Sequence, residues 1–163
     1  MWNMDETGFR VGMPGNTKVV VPIHMKSAFT PSPQNHKSLT IIETVSAARN
    51  PIAPYIIIGG KRQMCYYFEN GLDTSTVIDF STTGYTNDEI VLRYLEHFVH
   101  LATEDGKHPV LLLFNCHASH RSEAWEQYAA EHNVILHCFP PHLTHIMQPL
   151  DVSVFQPYCQ VQI

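Results

Sequence analysis

Charge is scarce in this sequence: Asp, Glu, Lys and Arg make up 15% of its 163 residues, against 44% hydrophobic residues. That balance excludes a highly charged disordered chain and suits one globular domain with a sizeable core. Long apolar runs are lacking as well. None approaches the ~18 residues that cross a bilayer, and no hydrophobic leader core follows Met1. The expectation is a soluble intracellular protein with no membrane partner. Paired cysteines are also missing: Cys65, Cys116, Cys138 and Cys159 form no CxxC, so reduced thiols in a cytosolic or nuclear setting are expected. No internal repeat and no long low-complexity linker divides the chain.

The charge that is present lies unevenly. Residues 1–62 carry seven Lys/Arg against three acids, net +4, and residues 63–163 carry three against twelve, net −9, leaving −5 overall. A basic face on the early strands would attract phosphate. The plainer alternative is that these side chains solvate an exposed sheet face.

Periodicity gives the order of elements. "MWNMDETGF" reads as a strand ending near Asp5, followed by a turn at Gly12–Asn16. "TKVVVPI" is a second strand, stopped by Pro22, and "LTIIETVSA" a third, alternating through Ile41, Glu43 and Val45. "PYIIIGG" continues this β-rich half. The period then changes. Thr86 and Glu89 form a capping box, and Ile90, Val91, Tyr94, Leu95, Phe98, Leu101 and Ala102 recur at helical spacing. "PVLLLF" is a continuous apolar run, as in a strand buried on both faces. "SEAWEQYAAEH" is a second helix, on which Trp125 and Tyr128 read as core rather than as a base-stacking platform. "VILHCF" is the next strand, and "QPLDVSVFQPY" starts a helical segment with Pro149 in its first turn. Antiparallel strands followed by alternating strand and helix predict an α/β fold: a ribonuclease-H-like mixed five-stranded sheet flanked by helices.

Three polar positions fall at element ends: Asp5, Asn115 and Asp151. In this topology the first strand neighbours the "PVLLLF" strand, so Asp5 and position 115 should lie side by side, with Asp151 closing the triangle. Three carboxylates so placed could hold two magnesium ions ~4 Å apart. The chain offers an amide at the middle position. Asn115 keeps a carbonyl oxygen but loses a full negative charge, so little catalysis is expected. Glu6 should point to the other face of the strand and offers no replacement.

The local words are more specific than any single residue. "NMDETGF" (3–9), "FNCHASH" (114–120) and "PPHLTHIMQPLDVSVFQP" (140–157) closely resemble the DDE superfamily endonuclease domain of pogo/Tigger-type transposases. "SLTIIETVSAARNPIAPYIIIGGK" and "GYTNDEIVLRYLEHF" resemble that family's third-strand segment and first helix. The gap of 35 residues between positions 115 and 151 also matches. The resemblance implies that Asp5 and Asp151 are the first and third catalytic, metal-ligating acids and that Asn115 occupies the place of the second. It implies a Mg2+ (or Mn2+) cofactor, metal-dependent DNA strand cleavage and transfer, DNA as partner, nuclear location, and a homo-oligomer as an option. No small-molecule substrate is expected.

His117, His120, His145 and Gln148 should neighbour the site. Cys116, His117, His120, His137, Cys138, His142 and His145 invite a zinc reading, but their spacing matches no finger or HExxH pattern, and surface or phosphate-contacting histidines are preferred. Residues 1–163 are expected to be one core domain, truncated at both ends. The alternative functions are a non-catalytic DNA- or protein-binding module and an inert transposon fragment.

Overall fold

The computed structural model describes residues 1–11, 37–48, 50–60, 71–115, 122–140 and 148–150. Strand β1 (Trp2–Val11) does not stop near Asp5 as its sequence suggested. Strand β2 (Lys37–Ser46) pairs with it antiparallel along its whole length, from Trp2 opposite Ser46 to Val11 opposite Lys37. Ladder bonding thus carries the extended backbone through residues that read locally as an element end. Strand β3 (Tyr55–Gly59) lies antiparallel to β2, and β4 (Val77–Ser81) lies parallel to β3. On the other side of β1, β5 (Val110–Asn115) runs parallel to it, and β6 (Val134–Phe139) runs parallel to β5.

The sheet therefore has the order β4-β3-β2-β1-β5-β6. The expected class holds, a mixed sheet flanked by helices, with six strands among the described residues instead of five. "PYIIIGG" forms a strand of its own, and Val77–Ser81 is a strand that its short length and central Asp79 concealed. The strand expected at "TKVVVPI" lies outside the described residues. So do Lys18, Lys26, Arg49, Lys61 and Arg62, five of the seven basic residues from which a basic face was expected.

Helices α1 (Asp88–Ala102) and α2 (Glu123–Glu131) cover one face of the sheet. Asn87, rather than Thr86, caps α1: its side-chain oxygen accepts the Ile90 N–H at 2.9 Å. Thr86 instead donates to Glu6 Oε2 at 2.9 Å. Ile90, Val91, Tyr94, Leu95, Phe98 and Val99 face inward and pack with Met4, Ile42, Leu112 and Phe114. Trp125, fully buried, stacks on Tyr94 and meets Phe114 edge-on, so it belongs to the core as its helical spacing indicated. Each such large side chain removed from water contributes ~1.5–3 kcal/mol.

One glycine is dictated by a close approach. Gly84 adopts φ +79, and a Cβ there would collide with the Ser38 carbonyl. The turn is held by Thr40 donating to the Gly84 carbonyl at 2.8 Å and by the Gly84 N–H donating to Ser81 Oγ at 2.8 Å. Cys138 on β6 is disulfide-bonded, which departs from the reduced thiols expected. The other three cysteines lie outside the described residues.

Candidate active site at the β1–β5 boundary

Strand alternation sorts the side chains of β1 between two faces. Met4 and Glu6 turn toward the helices, where Met4 is buried in the core and Glu6 accepts the hydroxyl of Thr86. Asn3 and Asp5 turn to the opposite face. Glu6 is thus on the side away from Asp5, as the alternation required. The parallel register pairs Trp2 with Leu112 and Asn3 with Leu113, and two more residues bring Asp5 level with Asn115, the last residue of β5. Asn115 Nδ2 donates to Asp5 Oδ1 at 3.4 Å.

Asp5 sits in the interior of β1 rather than at its tip and is 4% exposed. The amide nitrogen of Asn115 faces this buried carboxylate. That donor supplies no oxygen in the direction of Asp5.

Glu43 is a neighbour that the sequence did not single out. It lies directly opposite Asp5 in the β1–β2 ladder, and such cross-strand pairs share a face with Cβ atoms ~5 Å apart. Burial raises the Glu43 carboxyl above the ordinary carboxylate range. The available signal was its place between Ile41 and Val45, an acid on an otherwise apolar line.

Gln148 and Leu150 reach the same region from the far end of the chain. Gln148 is fully buried and its Nε2 donates to the Met4 carbonyl at 3.1 Å. The Leu150 N–H donates to Asn3 Oδ1 at 3.2 Å. The segment that leads into Asp151 is thereby bonded to the strand bearing Asp5. Asp151, His117, His120 and His145 lie outside the described residues, and the positions brought together are Asp5, Asn115 and Gln148. Among the described residues, no group of three or more His, Cys, Asp or Glu side chains could hold a metal ion.

A second polar cluster lies on the helix-covered face. The Tyr55 hydroxyl donates to Asp79 Oδ2 at 2.7 Å, Arg93 Nε donates to the same oxygen at 2.9 Å, and Arg93 Nη1 meets Glu89 at 3.2 Å. Burial works against ionisation of Asp79. Hydrogen bonds from Tyr55, the Phe80 N–H and Arg93, with the Arg93 charge, outweigh it and hold the carboxyl below its usual range. The cluster satisfies its own charges and ties β3, β4 and α1 together.

The chain is similar to known proteins in sequence and in fold. The DDE superfamily endonuclease family matches residues 35–160. An MFS-type transporter, clz9, of Cochliobolus lunatus is 30% identical over 161 residues, which cover 96% of this chain and 17% of that protein. No described helix here is long and apolar enough to cross a membrane. Among solved structures, the Mos1 transposase paired-end complex with left transposon end has a TM-score of 0.59 at 14% identity, covering 98% of this chain and 40% of that one. The Mos1 strand transfer complex has a TM-score of 0.59 at 15% identity, with 98% and 40% covered. The Mos1 mariner paired-end complex with Mn has a TM-score of 0.55 at 16% identity, with 97% and 40% covered.

Proposed function

The chain belongs to the DDE superfamily endonucleases, and from that premise we propose that it is a transposase-derived nuclease core of the pogo/Tigger type with an altered divalent-metal site at Asp5, Asn115 and Asp151. The observation carrying the reading is the meeting of Asp5 and Asn115 at 3.4 Å on adjacent parallel strands. The bond from Leu150 to Asn3 supports it by bringing the residue before Asp151 to the same strand.

The donor set fits one divalent cation better than two. Asp5 and Asp151 would supply carboxylate oxygens and Asn115 a carbonyl oxygen, whereas a pair of magnesium or manganese ions needs more anionic charge to offset its mutual repulsion. When bound, such an ion activates water or a 3′-hydroxyl and stabilises the leaving oxygen of a phosphodiester. The chain's own contribution is to hold Asp5 buried and to keep the 148–150 segment against β1. Losing ~4 kcal/mol of transition-state stabilisation slows a reaction by ~10³-fold, so the chain as it stands cleaves DNA poorly. DNA is its partner on this reading, in the nucleus, with residues 1–163 forming one core domain and several copies assembling on the substrate.

One observation favours a second reading, a non-catalytic DNA- or protein-binding module. Asn115 turns its amide nitrogen toward Asp5, so the protein supplies a hydrogen-bond donor where the metal chemistry needs an oxygen.

The test is nicking of supercoiled DNA in magnesium or manganese. The unmodified chain is expected to nick little, Asn115→Asp to nick measurably, and Asp5→Ala to abolish that gain. Robust nicking by the unmodified chain that Asp5→Ala removes would contradict the altered site. Retention of DNA by Asn115→Asp with no nicking in either metal favours the binding module.

A further inference from the structure

Three segments carry the three positions of the proposed site, and one amide side chain touches all of them. Asn3 lies on β1, two residues before Asp5 and on the same face. Its Nδ2 donates to the Leu113 carbonyl at 3.2 Å, and Leu113 stands two residues before Asn115 on β5. Its Oδ1 accepts the Leu150 N–H at 3.2 Å, and Leu150 directly precedes Asp151. Asn3 is 4% exposed. Gln148 adds a second tie from the same segment through its bond to the Met4 carbonyl.

We propose that Asn3 is a positioning residue that fixes the placement of Asp5, position 115 and Asp151 relative to one another, with Gln148 as its auxiliary. The inference rests on the metal-site reading above. An amide suits the task because it offers a donor and an acceptor at once, one for a carbonyl on β5 and the other for an N–H on the incoming segment. Aspartate in its place would set a negative charge against the Leu113 carbonyl, and an aliphatic residue would leave both backbone groups without this partner. Residues that orient ligands in this way change metal affinity by ~10–100-fold when removed.

A purely structural role would lower stability without acting on the metal, so the test separates the two. In the Asn115→Asp protein, which restores three acids, Mn2+ affinity is measured by calorimetry and exchange of the Leu150 amide by NMR. Both are read again after Asn3→Ala, after Gln148→Leu, and after Val134→Ala. Val134 is a buried residue of β6 that serves as the stability control. Asn3→Ala is expected to weaken Mn2+ binding ~10-fold or more and to speed Leu150 exchange beyond any change at β5–β6 amides. Val134→Ala, compared at equal loss of stability, should do neither.

Should Asn3→Ala not fold, Gln148→Leu carries the test, with a severalfold loss of Mn2+ affinity expected. Metal affinity in Asn3→Ala or Gln148→Leu no lower than in Val134→Ala overturns the proposal, and so does an unchanged Leu150 exchange rate. A parent Asn115→Asp protein that binds no Mn2+ overturns the metal-site reading itself, an outcome distinct from a parent that binds and an Asn3→Ala variant that binds equally well.

Discussion

On the helix-covered face of the sheet, polar side chains bond within a packed layer. The Thr44 and Tyr94 hydroxyls meet at 2.6 Å, Thr86 donates to Glu6 at 2.9 Å, and Asp79 gathers Tyr55 and Arg93. On the opposite face, polar side chains join segments far apart in the chain. Asn3 bonds β5 and the 148–150 segment, Gln148 bonds β1, and Asn115 bonds Asp5. The same strand, β1, serves both faces through successive residues. One face spends its hydrogen bonds on holding helices to the sheet. The other gathers groups of one kind, Asp5 and Glu43 in register, where packing alone gives no reason to set two acids side by side. On the function proposed above, the second face is the one that carries the site.

The comparison predicts very different costs of substitution. Trp125→Ala, in the helix-covered layer, should cost about 3–5 kcal/mol, read from the urea midpoint, because a fully buried aromatic leaves a cavity. A loss below ~1 kcal/mol, the range of surface changes, would show that this face is not the main store of stability.

Much of the helix-covered face was legible in the sequence because its signal is periodicity. The inward stripe of α1 follows from spacing up to Phe98, after which Val99 is buried and the expected Leu101 is exposed, and the continuous run of β5 follows from spacing as well. What was misread depended on partners distant in the chain. β1 passes beyond Asp5 because β2 pairs with it to Val11. Thr86 leaves the cap of α1 to Asn87 because Glu6, 80 residues earlier, takes its hydroxyl. β4 was hidden because Asp79 interrupts a short apolar stretch, and only Tyr55 and Arg93 explain an acid there. On the other face, the motif words pointed to Asp5 and Asn115, and strand order brought them together. Asn3 escaped notice, since no periodicity distinguishes a buried polar residue that has a partner from one that merely faces water, and Glu43 showed only as an acid on an otherwise apolar line.

The Asp79 cluster allows a smaller, pH-dependent test. Its carboxyl is held below the ordinary aspartate value of 3.8, so the folded state favours the ionised form. The stabilisation is present above that unfolded value and is lost as pH falls through the lower folded value. Asp79→Asn should therefore lower stability at pH 7 by at most about 1 kcal/mol, because Arg93 is partly exposed and solvent screens the pair. The difference from the unmodified protein should close as acid titration passes below about pH 4, near the unfolded carboxylate value. A gap that persists at pH 2 would mean that shape, not charge, is what Asp79 contributes.

Asn115→Asp hardly changes volume, but without metal it exchanges the hydrogen bond to the buried Asp5 for a second carboxylate beside it, so the metal-free variant should be less stable at neutral pH. The same change should have the clearest effect once metal is present, and it tests the central claim most directly. The measurement is the shift in melting temperature on adding Mn2+ to the unmodified chain and to Asn115→Asp. A ligand at 100 times its dissociation constant stabilises by about 2.7 kcal/mol, and each kcal/mol raises the melting temperature of a chain this size by roughly 2–4 °C. The predicted result is a rise of several degrees for Asn115→Asp and a much smaller one for the unmodified chain. Equal shifts in the two proteins would contradict the account, because position 115 would then not be a ligand position.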